Sequence, residues 1–123
     1  MDFENFRDLL VELGVLFDTH ENAYLIYYME NGYEARLVAL IDGDILRIAY
    51  PTDIEPQQEV YEWIAKRNFE KTLVKYCVDT EGFLTIMIDV PLSSIDKDFL
   101  KRIFRLLVIS YRELASRIRS STS

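Results

Sequence analysis

Residues 23–50 read AYLIYYMENGYEARLVALIDGDILRIAY. Three strand-like runs stand out, Ala23 to Met29, Ala35 to Ile41 and Ile45 to Tyr50, rich in the aromatic and branched residues that fit a pleated surface. Asn31-Gly32 separates the first two, and Asp42-Gly43 the second two. Such dipeptides tolerate the positive φ that tight hairpin turns demand, so the segment predicts a three-stranded antiparallel meander. A competing ferredoxin-like order, βαββαβ, would need two of these runs to merge, and two glycine turns argue against it. The first run is apolar or aromatic on both faces: Tyr24, Ile26 and Tyr28 on one, Leu25, Tyr27 and Met29 on the other. A sheet with helices on one side only should alternate apolar with polar. One face of this strand is therefore expected to pack helices. The other should be covered by a partner or expose a tyrosine-rich patch, since Tyr24, Tyr27, Tyr28, Tyr33 and Tyr50 all lie on or beside the meander.

Before the meander, Phe3, Phe6, Leu9, Leu10 and Leu13 recur at three- and four-residue spacing and predict a short amphipathic helix. Asp2 is its expected N-cap and Gly14 its stop. After the meander, Pro51 ends the last strand, and Pro56 suits a first helical turn, where a missing N–H is tolerated. Val60, Trp63 and Ile64 give a second helix from Pro56 to Arg67. Thr72 to Val78 and Phe83 to Val90 read as two further strands, linked by Asp79-Thr80-Glu81-Gly82 with Gly82 as the left-handed residue of a three-residue loop. Pro91 closes that hairpin, and Ser93 or Ser94 is expected to cap a long last helix, Ile95 to Ile118. The order α-β-β-β-α-β-β-α predicts an α+β fold: a five-stranded antiparallel sheet flanked by three helices. Residues 1–119 make a single domain, and Ser120 to Ser123 a polar tail expected to fray.

The composition excludes several functions. Half of the 123 residues are hydrophobic, enough for a real core. Net charge is −7, which disfavours nucleic acid because phosphate binding needs a basic face. No run approaches the ~18 apolar residues of a membrane span, and no basic, apolar leader opens the chain. A single cysteine, Cys77, rules out an internal disulfide and fits a reducing compartment as well as an oxidising one that lacks bridges; with no leader or span in view, the expected location is cytoplasmic. Cys77 lies within a strand and reads as a buried structural thiol. His20 is the only histidine, so neither a two-histidine metal site nor a triad can be drawn, and it reads as a surface or edge residue. Asp42 and Asp44, like Asp79 and Glu81, flank turn glycines, but the spacing of a calcium loop is missing and turn chemistry explains them. Glu21, Glu30 and Glu34 crowd the first hairpin, where so acidic a chain makes crowding commonplace. There is no glycine-rich phosphate loop. No enzyme activity, cofactor or metal is expected.

The last helix carries two further signals. Ile103 to Ile109 reads IFRLLVI, apolar almost all round, where a helix on one sheet face needs a stripe of roughly 100°. Such a helix either sinks between the sheet and the first helix or meets a second subunit or peptide. Residues 97–123 also hold seven basic and two acidic side chains, net +5, against −12 for residues 1–96. The basic side either pairs with acidic neighbours or forms a recognition patch for an acidic partner. The apolar surplus predicts a homodimer, because large exposed apolar patches are uncommon on monomers of this size. The aromatic sheet face, or the second helix around Trp63, is a better pairing surface than the basic side of the last helix, where seven cations would face their own copies. The candidate protein-interaction surface comprises Tyr24, Tyr27, Tyr28, Tyr61, Trp63, Phe104 and Val108.

Trp63 with Arg67-Asn68-Phe69, the Glu81-Gly82-Phe83-Leu84 turn, and Val90-Pro91-Leu92 leading into Phe99, Leu100 and Ile103 resemble the YbjN-like family of bacterial proteins, within the type III secretion chaperone-like fold. The resemblance implies a homodimeric, non-enzymatic protein that binds a polypeptide, since secretion chaperones hold an unfolded effector segment along their sheet and helix surfaces. It carries over no catalytic residue. The leading expectation is therefore a chaperone- or adaptor-like interaction module with a polypeptide client. Its rival is a small-molecule-binding regulatory or sensory domain with a pocket between sheet and last helix.

Overall fold

The computed structural model describes residues 3–122. The chain runs α1 (Phe3–Leu13), β1 (Leu16–His20), β2 (Ala23–Glu30), β3 (Tyr33–Asp42), β4 (Ile45–Pro51), α2 (Gln58–Glu70), β5 (Lys75–Val78), β6 (Leu84–Pro91) and α3 (Lys97–Thr122). The fold class is the expected α+β, but the antiparallel sheet has six strands, not five, in the order β1-β2-β3-β4-β6-β5. The additional strand is β1, which pairs with β2 from His20 opposite Ala23 to Leu16 opposite Tyr27. Its sequence, LFDTH, is mostly exposed and shows little apolar alternation. Its turn, Glu21-Asn22, also lacks glycine, although Glu21 takes φ +56°. Both sequence signals of a hairpin were thus absent. The other turns follow expectation more closely. Asn31 and Gly32 both have positive φ (52° and 77°), as a type I′ turn requires. In the next hairpin Gly43 (φ +61°) and Asp44 are the central pair, which puts glycine first, in the II′ position.

The helix boundaries depart from the sequence reading for local reasons. Gly14 (φ +73°) ends α1 as expected, while Asp2, its expected cap, lies outside the described residues. The start of α2 is Gln58, with Gln57 rather than Pro56 at its threshold. Strand β5 begins three residues later than Thr72 because Leu73 has φ +75° and the Val74 N–H bonds the Thr72 carbonyl at 2.8 Å. That i to i+2 bond with positive φ is a γ-turn, rare and strained, and it breaks the extended backbone. Neither Ser93 nor Ser94 caps α3. Leu92–Ser94 form a 3-10 turn, with the Ser94 hydroxyl donating to the Pro91 carbonyl. The cap is Asp96, whose Oδ1 accepts the Phe99 N–H at 2.8 Å. Helix α3 continues to Thr122, past the expected end at Ile118 and through most of the supposed tail; Ser123 lies outside the described residues.

All three helices cover one face of the sheet. The β2 residues Tyr24 and Ile26, Ala35, Leu37 and Ala39 from β3, Leu46, Ile48 and Tyr50 from β4, and Ile86, Ile88 and Val90 from β6 are buried there. Against them pack Phe6 and Leu10 of α1, Val60 and Ile64 of α2, and Leu100, Ile103, Phe104, Leu107, Val108 and Leu114 of α3. Aromatic contacts tie the layers: Phe6 edge-on to Tyr24 at 5.3 Å, and the tilted pairs Tyr28 with Phe104 at 5.2 Å and Trp63 with Tyr76 at 5.4 Å. Helix α3 is thus sunk into the core along most of its apolar girth. Its remaining apolar residue in that run, Ile109, stays 44% exposed beside α2.

Among the described residues no helix lies over the opposite face of the sheet. One rung across it joins Asp18, Leu25, Val38, Ala49, Met87 and Lys75. The next carries the two-pronged Arg47–Asp89 ion pair, at 2.7 and 2.8 Å. The tyrosine-rich patch expected there is absent, because the period of two sends Tyr24, Tyr28 and Tyr50 to the helix side. Only Tyr27 of that group lies on the open face, donating its hydroxyl to Asp18 at 3.1 Å.

Candidate functional site

One opening lies where α1 hands over to β1. Leu13, Gly14, Val15 and Leu16 form one wall, Tyr27, Tyr28, Met29 and Glu34 the sheet side, and Lys101, Phe104 and Arg105 of α3 the other wall. The cavity measures about 590 Å³. Its walls are apolar and the cations sit at its rim. Arg105 is held by Glu30 at 3.0 Å, and Lys101 is exposed. Burial, with the nearby Glu30 carboxylate, pushes the Tyr28 hydroxyl above the usual tyrosine range, so it stays a neutral donor. Leu16 and Met29 are 76% and 59% exposed at the mouth.

Backbone geometry adds a second feature. Strand β1 ends at Leu16 opposite Tyr27, while β2 continues to Glu30. In an antiparallel ladder, every second residue turns its N–H and C=O to the same neighbour. From the closing pair His20–Ala23, those β2 residues are Ala23, Leu25, Tyr27 and then Met29. No β1 residue stands opposite Met29, so its main-chain groups on that side have no partner in β1, and Met29 lines the cavity.

The seven residues singled out by sequence separate into three groups. Tyr27, Tyr28 and Phe104 come together around this cavity. Tyr61 and Trp63 lie elsewhere, on α2, with Tyr61 exposed and Trp63 half-buried. Tyr24 and Val108 are fully buried; they serve the core and present no surface. Phe104 is also fully buried and reaches the cavity only as its inner wall. Leu16 and Met29 are not among the seven, because both their exposure and their position depend on where β1 stops. Nor is Phe69, which is 92% exposed on the outer side of α2.

Helix α2 is fastened by polar contacts more than by apolar ones. Asn68 behaves like a strand residue: its Nδ2 donates to the Tyr76 carbonyl at 2.9 Å and its Oδ1 accepts the Tyr76 N–H at 2.8 Å. Lys75 Nζ caps the helix end, donating to the carbonyls of Asn68 and Lys71. Across to α3, Glu113 accepts from Arg67 at 2.6 Å and lies 3.2 Å from Lys71, which also donates to Ser110. Burial pushes the Glu113 carboxyl upward, but the bonds from Arg67 and Lys71 outweigh it and hold the group below the usual glutamate range.

Other chemistry-bearing side chains have structural occupations. Cys77 is half-buried on the open sheet face, not in the core. Burial raises its thiol above the usual range against the pull of Arg47, the opposite of an activated thiolate. Asp79 Oδ1 accepts the N–H groups of Glu81 and Phe83, both at 2.9 Å, which is the turn chemistry expected of it. His20 is exposed at the end of the edge strand β1. Tyr50 stacks on Tyr111 at 4.6 Å and shares a hydrogen bond with Tyr33 at 3.0 Å; burial first, then that bond, raises its hydroxyl pKa. Among the described residues no group of three His, Cys, Asp or Glu side chains is close enough to hold a metal ion. No helix among them is long and apolar enough to cross a membrane.

This architecture, one antiparallel sheet with three helices on a single face, is one the chain shares with a solved secretion chaperone. The solved structure of the Yersinia pestis type III secretion chaperone SycH, in complex with a stable fragment of YscM2, superposes on it with a TM-score of 0.66. The match covers 91% of this chain and 98% of the chaperone, at 14% identity, so the likeness is one of fold. No protein-family model matches the chain, and no curated protein sequence does.

Proposed function

We propose that this chain is a non-enzymatic, chaperone- or adaptor-like module that binds a polypeptide as a homodimer. The observation carrying the reading is the α1–β1 cavity, where apolar walls meet the unpartnered main-chain edge at Met29. A polypeptide suits both features at once. Its backbone can bond a free strand edge while an apolar side chain fills the cavity. The fold likeness to a chaperone solved with a bound polypeptide fragment points the same way. Membership of the YbjN-like family is a finer reading, resting on the Trp63 to Phe69 segment and the turns named above. A cytoplasmic location rests on the lone unbridged thiol.

In this reading the dimer contact is the outer side of α2. Tyr61, Ala65 and Phe69 recur there at four-residue spacing, all exposed. Ala65 at the centre of this stripe allows close approach. Glu62 and Lys66, 3.3 Å apart within one helix, would meet their opposites in an antiparallel copy. A cavity of this volume also falls within the range of small-molecule sites, which keeps the sensory reading as the rival.

The experiment is a displayed random-peptide selection on the purified chain, followed by titration calorimetry of enriched peptides against Leu16→Asp and Met29→Asp. Both side chains are exposed, so the variants should fold. Each buried apolar contact is worth about 1.5–3 kcal/mol, so at least a tenfold loss of affinity is expected in each variant. Enriched peptides that bind the variants as well as the wild type would remove the cavity from the reading. No enriched peptide, together with a metabolite that raises the melting temperature, would replace the module with a sensor.

A further inference from the structure

We infer that the groove between α2 and α3 docks an acidic amphipathic helix of a partner protein. The two helices run antiparallel, as the cross-links Lys71–Ser110 and Arg67–Glu113 require, and leave an open channel of about 830 Å³ between them. Its apolar seat is Trp63 and Ile109, and its cations are Lys66, Arg67, Arg112 and Arg117. Ile109 is the one residue of the Ile103 to Ile109 apolar run that neither sheet nor helix covers well.

Charge selects the occupant. The two carboxylates lining the channel, Glu70 and Glu113, are already engaged by Arg67, at 3.4 and 2.6 Å. Arg112 and Arg117 are exposed and make no ion pair among the described residues. They are five residues apart on one helix, about 7.5 Å of rise, and both line the channel. A chain of net charge −7 thus holds a cationic channel with an apolar floor. Nucleic acid fits poorly, since the rest of the surface is strongly acidic and an isoleucine seat offers a phosphate nothing. An amphipathic helix presents acidic groups to the arginines and an apolar row to Trp63 and Ile109 in the helix-in-groove manner. The site lies on the C-terminal half of α3, away from the α1–β1 cavity, and does not depend on what that cavity binds.

Trp63 is the only tryptophan, so its fluorescence reports on this groove alone. The probe is a synthetic 18-residue (~five-turn) amphipathic peptide with a Leu row at i, i+3, i+4 and i+7, Glu flanking that row and Ala elsewhere, so that like charges do not unwind the helix. A saturable shift of Trp63 emission is expected, weakened at least tenfold in the Arg112→Glu/Arg117→Glu double variant and likewise in Ile109→Ser, with circular dichroism unchanged. A milder Arg112→Gln/Arg117→Gln pair should fall between. Leu16→Asp should bind as the wild type does. The proposal is overturned if a Lys-for-Glu peptide binds equally, if the arginine variants keep full affinity, or if only a single-stranded oligonucleotide shifts Trp63. A change of oligomeric state in the arginine variants without peptide would also overturn it, by making the groove a self-contact.

Discussion

Glu21 illustrates how one residue can conceal an element. With φ +56° it occupies the first central position of the β1–β2 turn, a conformation in which a side chain clashes with its own backbone. Glycine is free of that penalty and is preferred at this turn position, as at Gly43 two hairpins on. Glu21 is exposed at that turn. Glu21→Gly should therefore raise stability by about 0.5–1 kcal/mol, the relief of strain outweighing the entropy of the unfolded chain. Urea denaturation would show it as a higher midpoint with an unchanged slope. A lower midpoint would mean that the glutamate makes an interaction stronger than its strain. Leu73, at φ +75°, poses the same question inside a γ-turn next to β5.

Helix α2 is the element whose position depends most on polar chemistry. It buries only Val60 and Ile64 fully, and Glu113 on α3 is the anion that Arg67 and Lys71 share. The carboxyl of Glu113 is held below its unfolded value, near 4.3, so it adds stability above that value and loses it as pH falls through the lower, folded one. Partial exposure keeps the contribution under about 1 kcal/mol. In Glu113→Gln, stability measured at pH 6 should fall by that amount. The drop in stability between pH 5 and pH 3 (~2 units around the usual glutamate value) should become shallower than in the wild type. Equal acid profiles in the two proteins would show that the clamp contributes nothing to folding. The same exchange should leave peptide binding at Leu16 and Met29 untouched.

At the scale of the whole molecule, three helices on one sheet face leave apolar surface uncovered among the described residues beyond the cavity and the groove: the open sheet rung through Leu25, Val38, Ala49 and Met87, and the α2 stripe ending at Phe69. Phe69 is the most exposed large apolar side chain described, and the two-fold symmetry of a dimer would bury it twice, at about 1.5–3 kcal/mol each time. Sedimentation equilibrium at micromolar concentration should give twice the 14.5 kDa chain mass for the wild type and the single mass for Phe69→Asp. A wild type that sediments as a single chain removes the dimer. A dimeric Phe69→Asp moves the contact to the open sheet face.

Hairpins and core were legible in residues 23–50 because turn chemistry and a period of two are local properties. Asn31-Gly32, Asp42-Gly43 and Gly82 each place a turn by steric rules that need no neighbour. The apolar stripe of α1 needs only helical periodicity. Edges and openings are different. Whether β2 has a partner at Met29 depends on where α1 lets β1 begin. Whether Phe104 is surface or wall depends on how deeply α3 sinks, and both follow from packing between residues far apart in the chain. The cations of α3 were countable in the sequence as net +5, but pairing across space divides them. Arg105 is taken by Glu30, while Arg112 and Arg117 are left facing the groove. Composition fixes how much apolar and charged surface the chain carries; only the packed layers settle which of it remains for another molecule to touch.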